Sequence, residues 1–238
     1  MKNRFLSPDS LNGKFEVGAE VVLSADESHH LARVARLTEG EEIELIDGRG
    51  GVAGAKIVEA NHKRTKVKVI RVDEITAVSK LILAFGIPKA NASEFLFHRC
   101  TELGVAGFQP LVTAHSLHPK EWNQERWERV VAETCKQCQE ARFPTVLPPL
   151  KLEDWLHKRD KDSQLVYCYE EERAGAPKAL AAKTTYLVIG PEGGWSAAEV
   201  ALFRKHGGLS LGLGRNRLRA ETASLVAATL TKKLLNEI

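Results

Sequence analysis

Tyr186 to Ala223 reads Y-L-V-I-G-P-E-G-G-W-S-A-A-E-V-A-L-F-R-K-H-G-G-L-S-L-G-L-G-R-N-R-L-R-A-E-T-A. An apolar strand runs into a glycine-rich turn, a helix, a second glycine-rich turn and an arginine cluster. Backbone that must come close to a ligand needs glycine, because a Cβ would intrude. Two such loops, each beside an apolar strand, point to one site built by both. Ser196 and Glu199 have the spacing of a capping box, with Trp195 and Val200 at the staple positions around it. Gly207 and Gly208 end that helix after Lys205 and His206, whose side chains suit its negative pole when His206 is charged. Leu209–Leu213 follows as a short strand. A last helix starts near Ala220 and turns Ala223, Val226, Ala227, Leu230 and Leu234 inward at helical spacing, a small-residue face that suits a dimer contact.

G-P-E-G-G at Gly190–Gly194 contains neither G-x-x-x-x-G-K-[ST] nor G-x-G-x-x-G, which disfavours ordinary triphosphate or dinucleotide binding. Two tight strand–helix turns without a ligand would carry the same glycines. Arg215, Arg217 and Arg219 weigh against that bland account. They precede a helix N-terminus, where stability alone favours acids, so anion binding is expected of at least one of them.

Working outward, the chain before this stretch changes rhythm once. Glu20–Ser24, Glu41–Ile46, Val52–Glu59 and Thr65–Val72 read as strands, and D-G-R-G-G at Asp47–Gly51 as a hairpin turn. Ser28–Leu37 reads as a short helix with Leu31, Val34 and Ala35 inward and Arg33 and Arg36 outward. A small β-barrel accounts for this part. Asp73–Lys80 reads as a linker. Beyond it, strands at Leu81–Phe85, Gly107–Val112, Gln164–Tyr169 and Tyr186–Gly190 alternate with helices. One helix is capped by Ser93 and stopped at Gly104. Another runs over Trp122–Glu140, with Trp127, Val130, Val131, Thr134 and Cys138 on one face. The alternation predicts an α/β fold with a largely parallel sheet.

With 238 residues, the chain is long enough for one large or two small domains. The opening M-K-N-R-F-L-S-P-D-S has no apolar core of a secretory signal, and no apolar run reaches the roughly 20 residues of a membrane helix. Four cysteines read as reduced thiols of a cytoplasmic protein. A formal charge of +3 is too small to imply nucleic acid, so any RNA contact must come from local patches. One such patch is Asn61–Arg71, with His62, Lys63, Arg64, Lys66, Lys68 and Arg71 and no acid. It suits a phosphate backbone and equally a solvated edge strand guarded by lysines. Cys135-x-x-Cys138 lacks the second half of a zinc site and is better explained by packing, and His115-x-x-His118 is likewise unsupported; no metal is expected. No G-x-S-x-G or cysteine-nucleophile signature is present.

The two C-terminal motifs, L-V-I-G-P-E-G-G-W-S-A-A-E and L-G-L-G-R-N-R-L-R-A-E-T-A, together resemble those of the RsmE family, SPOUT-class methyltransferases that modify N3 of a uridine in 16S ribosomal RNA. Similar runs lie at Arg4–Phe5, His29–Leu37, Thr101–Val105 and Gln137–Pro144, so the resemblance covers nearly the whole chain. It implies a PUA-like RNA-binding β-barrel over residues 1–73 and a SPOUT methyltransferase domain with a trefoil knot over 74–238. It also implies S-adenosylmethionine as cofactor, 16S rRNA or the small ribosomal subunit as partner, and a homodimer. Leu187, Ile189, Gly190, Glu192, Gly193 and Gly194 would line one side of the cofactor. Leu211, Gly212, Leu218, Arg219, Ala220 and Thr222 would line the other. Arg4, Arg33, Arg36, Lys63, Arg64, Lys66, Lys68 and Arg142 would meet RNA. The chain departs from the family where Glu140 replaces a usual arginine, with Arg142 two residues on, and where R-N-R-L-R adds a basic residue.

Methyl transfer to N3 requires loss of the N3 proton and leaves negative charge on the flanking carbonyl oxygens. Arg219 is the first candidate to stabilise that charge, with Arg36 or Arg4 from the barrel. Glu221, Glu192 and Glu102, in falling order, are candidates for the base. Rival readings are a SPOUT enzyme acting on tRNA or on a ribose 2′-hydroxyl, and a non-catalytic ribosome-assembly protein.

Overall fold

A computed structural model of the chain describes residues 3–7, 15–73, 78–172, 175, 177–181 and 183–238. By internal contacts it divides into one unit of Met1–Val78 with Cys135–Phe143, and another of Ser79–Thr134 with Pro144–Ile238.

The first unit is a barrel-like five-stranded sheet in the order β1-β3-β4-β5-β2. Its strands are β1 (Arg4–Leu6), β2 (Glu20–Val22), β3 (Glu42–Ile46), β4 (Val52–Glu59) and β5 (Lys66–Asp73). The expected Asp47–Gly51 turn joins β3 to β4 as a hairpin with Ile46 opposite Val52. Asp47 Oδ1 holds the turn by accepting the N–H groups of Arg49 and Gly51 at 2.7 and 2.8 Å. Alternation along β5 buries Val67 and Val69 and exposes Lys68 and Ile70, as period-two patterning requires. β1 was not evident in the sequence, since three residues show no period. It is held by parallel pairing with β3. Of the Asp73–Lys80 linker, residues 74–77 lie outside the described residues, and Asp73 closes β5.

The helix expected at Ser28–Leu37 starts earlier and is not uniform. Helix α1 (Ala25–His29) is capped by Ser24, and a π-helical turn occupies His30–Val34. The π spacing, seen in the Ala35 N–H bond to His30 O at 2.9 Å, widens the turn and rotates later residues off an α-helical face. Leu31 is therefore fully buried while Val34, expected inward, is 64% exposed.

The second unit holds a seven-stranded sheet in the order β12-β10-β11-β6-β7-β8, with β9 also on β7. These are β6 (Leu81–Gly86), β7 (Gly107–Val112), β8 (Thr145–Val146), β9 (Leu150–Lys151), β10 (Gln164–Tyr167), β11 (Thr185–Ile189) and β12 (Leu209–Ser210). Every pairing is parallel, which explains apolar runs such as L-I-L-A-F that must be buried on two faces. Helices α4 (Leu152–Lys158) and α5 (Ala197–Lys205) bring Trp155 and Phe203 onto Ala84, Leu165 and Val188. Helices α2 (Ala90–Glu102) and α3 (Gln124–Cys138) bring Phe97 and Trp127 into a ring cluster with Phe85 and Phe108. The final helix, α6 (Ala220–Leu234), packs on α2, β6 and β11. Among the described residues, no helix is long and apolar enough to cross a membrane.

Three local expectations change. Ser93 does not cap α2. The helix begins at Ala90, Ser93 is buried, and its hydroxyl bonds back to Pro88 O at 3.3 Å. The cap is instead a tertiary one, with the Glu192 carboxylate accepting the Lys89 N–H at 3.0 Å. On α6 the buried face is Ser224, Ala227, Ala228, Thr231 and Lys232. Leu230 is 36% exposed, and Ala223, Val226 and Leu234 are half-buried. The Ser224 hydroxyl bonds to Ala220 O at 2.8 Å, which lets a small polar residue take the interior place. Lys232 lies in that interior because its ammonium reaches Gly104 O at 2.9 Å and Glu237 at 3.2 Å. Finally, β12 stops at Ser210 instead of Leu213, leaving Leu211–Leu213 outside the strand.

Candidate active site and nucleic-acid interface

Because the strands run parallel, the segments that follow β6, β10, β11 and β12 emerge at one edge of the sheet, where open α/β sheets bind ligands. The capping box forms as expected, with Ser196 accepting from the Glu199 N–H and Glu199 from the Ser196 N–H. Glu199 also accepts the Ala114 N–H at 2.9 Å, tying α5 to the segment after β7. Trp195 and Val200 are buried in one cluster, and the Trp195 indole donates to Cys168 O at 3.0 Å. Gly194 turns at φ +71°, a conformation that favours glycine. At Gly193, a Cβ would stand 2.7 Å from His115 Cβ, so this glycine makes room for a neighbouring loop. His206 caps α5, but burial first, then His157, Arg159 and Lys205, hold its pKa below the usual histidine value. The helix pole is therefore met by Arg204 and Lys205.

The loops enclose a cavity of about 900 Å³, within the size range of small-molecule sites. Ile189, Gly190, Glu192 and Gly194 form one wall, and Leu211, Leu218, Arg219 and Ala220 another, with Glu221 beside them. Four residues expected on the cofactor are not on these walls. Leu187 is buried within the sheet, Gly193 faces His115, and Gly212 and Thr222 lie off the lining. A third wall, Cys168–Glu172, and a fourth, of Lys89, Asn91 and Ala92, are additions. The third wall exists because β10 ends at Tyr167 and releases the chain two residues before the expected strand end. Its signal in the sequence is the acidic run E-E-E directly after an apolar strand.

Part of the charge around the cavity is paired. Arg217 meets Glu170 at 2.8 Å. Arg204 meets Glu172, which also accepts the Tyr167 hydroxyl at 2.8 Å. The Ser210 hydroxyl first, then Arg204 and Tyr167, outweigh desolvation and hold the Glu172 carboxyl below the usual range. Burial pushes the Cys168 thiol far above its ordinary value, so that wall is a neutral thiol. Arg215 and Arg219 make no ion pair among the described residues. Of the three base candidates, Glu221 and Glu192 line the cavity. Glu102 does not, because it is paired with Arg99 at 2.7 Å at the end of α2. Glu192 accepts the Lys89 N–H at the start of α2, and Glu221 makes no ion pair among the described residues.

In the barrel unit, Arg33, Arg36, Lys63, Arg64 and Lys68 are exposed and make no ion pair among the described residues. Lys66 lies 3.3 Å from Glu59. Arg4 is different: its guanidinium meets Glu44 at 2.9 Å and donates to Gln139 O, which ties β1 to neighbouring segments. Arg142 is half-buried beside the Asp47–Gly51 turn.

Comparison with known proteins agrees with this geometry. An RNA methyltransferase domain matches residues 76–232 and an RNA methyltransferase PUA domain matches residues 23–70. The chain is 30% identical, over 92% of its length and 75% of the relative's, to ribosomal RNA small subunit methyltransferase E of Synechocystis. It is similar to the crystal structure of a ribosomal RNA small subunit methyltransferase E from Neisseria gonorrhoeae bound to S-adenosyl methionine, with a TM-score of 0.88, 25% identity and 98% of each chain covered. A methyltransferase from Legionella pneumophila in complex with the same cofactor superposes with a TM-score of 0.82 at 26% identity, again over 98% of each chain. With both domain types matched in order and the likeness spanning barrel and catalytic sheet, the chain belongs to the ribosomal RNA small subunit methyltransferase E family.

Proposed function

We propose that the protein transfers a methyl group from S-adenosylmethionine to N3 of a uridine in the 16S rRNA of the small ribosomal subunit, acting in the cytoplasm. The observation that carries this reading is the cavity in which both glycine motifs meet an unpaired Arg219 and the free carboxylate of Glu221. The walls suit the cofactor: Ile189, Leu211 and Leu218 offer apolar surface, the loop backbones offer hydrogen bonds, and Glu170–Glu172 offer negative charge near a sulfonium. When bound, S-adenosylmethionine supplies an electrophilic methyl group. Glu221 takes the N3 proton, and Arg219 stabilises the charge that spreads onto the flanking carbonyl oxygens. Alignment of the two reactants supplies the rest of the rate, since the donor is already activated.

Residues 1–73 are the RNA-holding part in this reading and 74–238 the catalytic part, with a trefoil knot in the latter. The shoulder of α6 formed by Ala223, Val226, Leu230 and Leu234, partly open in the single chain, is the proposed homodimer contact. A monomeric mass by light scattering at micromolar concentration would remove that part. The activity is tested by incubating the protein with cofactor and unmethylated small subunits, then digesting the RNA to nucleosides. N3-methyluridine is expected. A ribose-methylated product would move the protein to another SPOUT activity, and calorimetry showing no cofactor binding would leave an assembly protein.

A further inference from the structure

As sequence, Asp47–Gly51 is a hairpin turn, and Arg49 lies in none of the motifs that carry the family resemblance. In the structure the tip of this turn pairs with residues 141–143, within the same unit. Gly50 N–H bonds to Ala141 O at 3.2 Å and Phe143 N–H to Gly48 O at 2.8 Å. These two bonds flank Arg49 and Arg142, which form an antiparallel bridge. That pattern matches a non-hydrogen-bonded antiparallel pair, the closer of the two geometries, with Cα atoms about 4.5 Å apart, and Arg142 also bridges Gly48 in the parallel sense. Like charges placed directly opposite one another are destabilising.

Two acids close in sequence are engaged with backbone: Asp47 accepts from its own loop, and Glu140 accepts the Arg142 N–H at 3.0 Å. Neither arginine makes an ion pair among the described residues, and Arg142 Nε is buried without a hydrogen-bond partner. Arg49 is exposed. The platform beneath them is firm, because Ile46, Val52 and Ala141 form a buried cluster with Leu6 and Phe143 packed against it. Two arginines on paired backbone with no carboxylate partner among the described residues can share one anion, and guanidinium forks match phosphate oxygens.

The geometry points to Arg49 and Arg142 as a two-arginine clamp for one phosphate of the RNA substrate's backbone. The clamp rests on the methyltransferase reading above, and it adds a binding residue, Arg49, and a defined site for Arg142. Its contacts are to phosphate, so it positions the RNA without reading bases.

The test uses the full-length protein and a transcript of small-subunit ribosomal RNA, with affinity measured by filter binding over a range of salt concentrations. Arg49→Gln and Arg142→Gln should each weaken binding several-fold and flatten the salt slope by about one. The double variant should lose less than the product of the singles, because one phosphate is shared. Arg49→Lys should keep more affinity than Arg49→Gln. Arg49→Glu should lose most, yet melt no lower than the unsubstituted protein, since it gives Arg142 a carboxylate. If the unsubstituted protein binds in a salt-dependent way and Arg49→Gln leaves affinity and slope unchanged, the clamp is wrong while the enzyme reading stands. If Arg142→Gln unfolds, the exposed Arg49 decides alone. A protein that binds S-adenosylmethionine but no RNA overturns both.

Discussion

Around the cavity, Arg217 meets Glu170 and Arg204 meets Glu172, whereas Arg33, Arg36, Lys63, Arg64 and Lys68 of the barrel unit meet no carboxylate among the described residues. The same side-chain types thus have opposite surroundings. Paired charges hold loops in one geometry, which a small ligand needs. Unpaired cations on an exposed face keep their field for a polyanion and cost little in water, where an ion pair contributes at most about 1 kcal/mol. The contrast assigns order to the catalytic sheet and attraction to the barrel. Within the cavity itself Arg215 and Arg219 break the rule, and Arg219 is the residue proposed for the reacting charge.

The largest effect should therefore come from Arg219→Ala. Loss of one preorganised donor of this kind costs on the order of 10² to 10³ in rate. Single-turnover methylation at saturating cofactor should fall by that factor, and an unchanged rate would take the charge-stabilising role away from Arg219. Next is a half-buried, paired group. Burial alone would raise Glu237, but Ser79, the Lys80 N–H and Lys232 outweigh it and hold its carboxyl below the usual range. A carboxylate depressed in the folded state adds stability above its unfolded pKa and loses it as pH falls through the folded value. Glu237→Gln should cost about 1–3 kcal/mol at neutral pH and remove part of the acid-induced loss of stability. Denaturation midpoints from pH 7 down to pH 3 would show both. Smallest in stability is the combined Lys63→Gln, Arg64→Gln and Lys68→Gln variant. Its melting temperature should hardly move, surface changes being worth roughly 0.5 kcal/mol or less each, while the salt slope of RNA binding flattens by about three. A large drop in melting temperature would show that these cations have structural partners.

How much was legible in the sequence follows from which forces are local. The S-x-x-E cap, the staple at Trp195 and Val200 and the apolar parallel strands all involve neighbours a few residues apart, and each is found in place. The α2 cap is supplied by Glu192, 103 residues away, so a reader of local pattern places it on Ser93. β1 depends on its parallel partner β3. The π turn shifts the phase of a helix whose composition is unremarkable, which puts Val34 outside. On α6 small polar residues displace larger apolar ones from the interior, because close approach matters there more than hydrophobicity. For the site, the two glycine walls were legible as motifs, and the Cys168–Glu172 wall was not, since strand order alone brings β10 beside β11. The grouping of Cys135–Phe143 with the barrel likewise depends on pairing with a distant hairpin.

Arg36 follows the π turn at φ +55°, a left-handed conformation that costs an ordinary L-residue about 1–2 kcal/mol and glycine almost nothing. Substitution by glycine there is thus an easy gain in robustness that would remove a cation from an exposed position. A population selected for heat tolerance alone should drift toward that glycine, and one selected for efficient use of its RNA should hold on to the arginine. Position 36 is where durability and occupation of the substrate pull the chain in different directions.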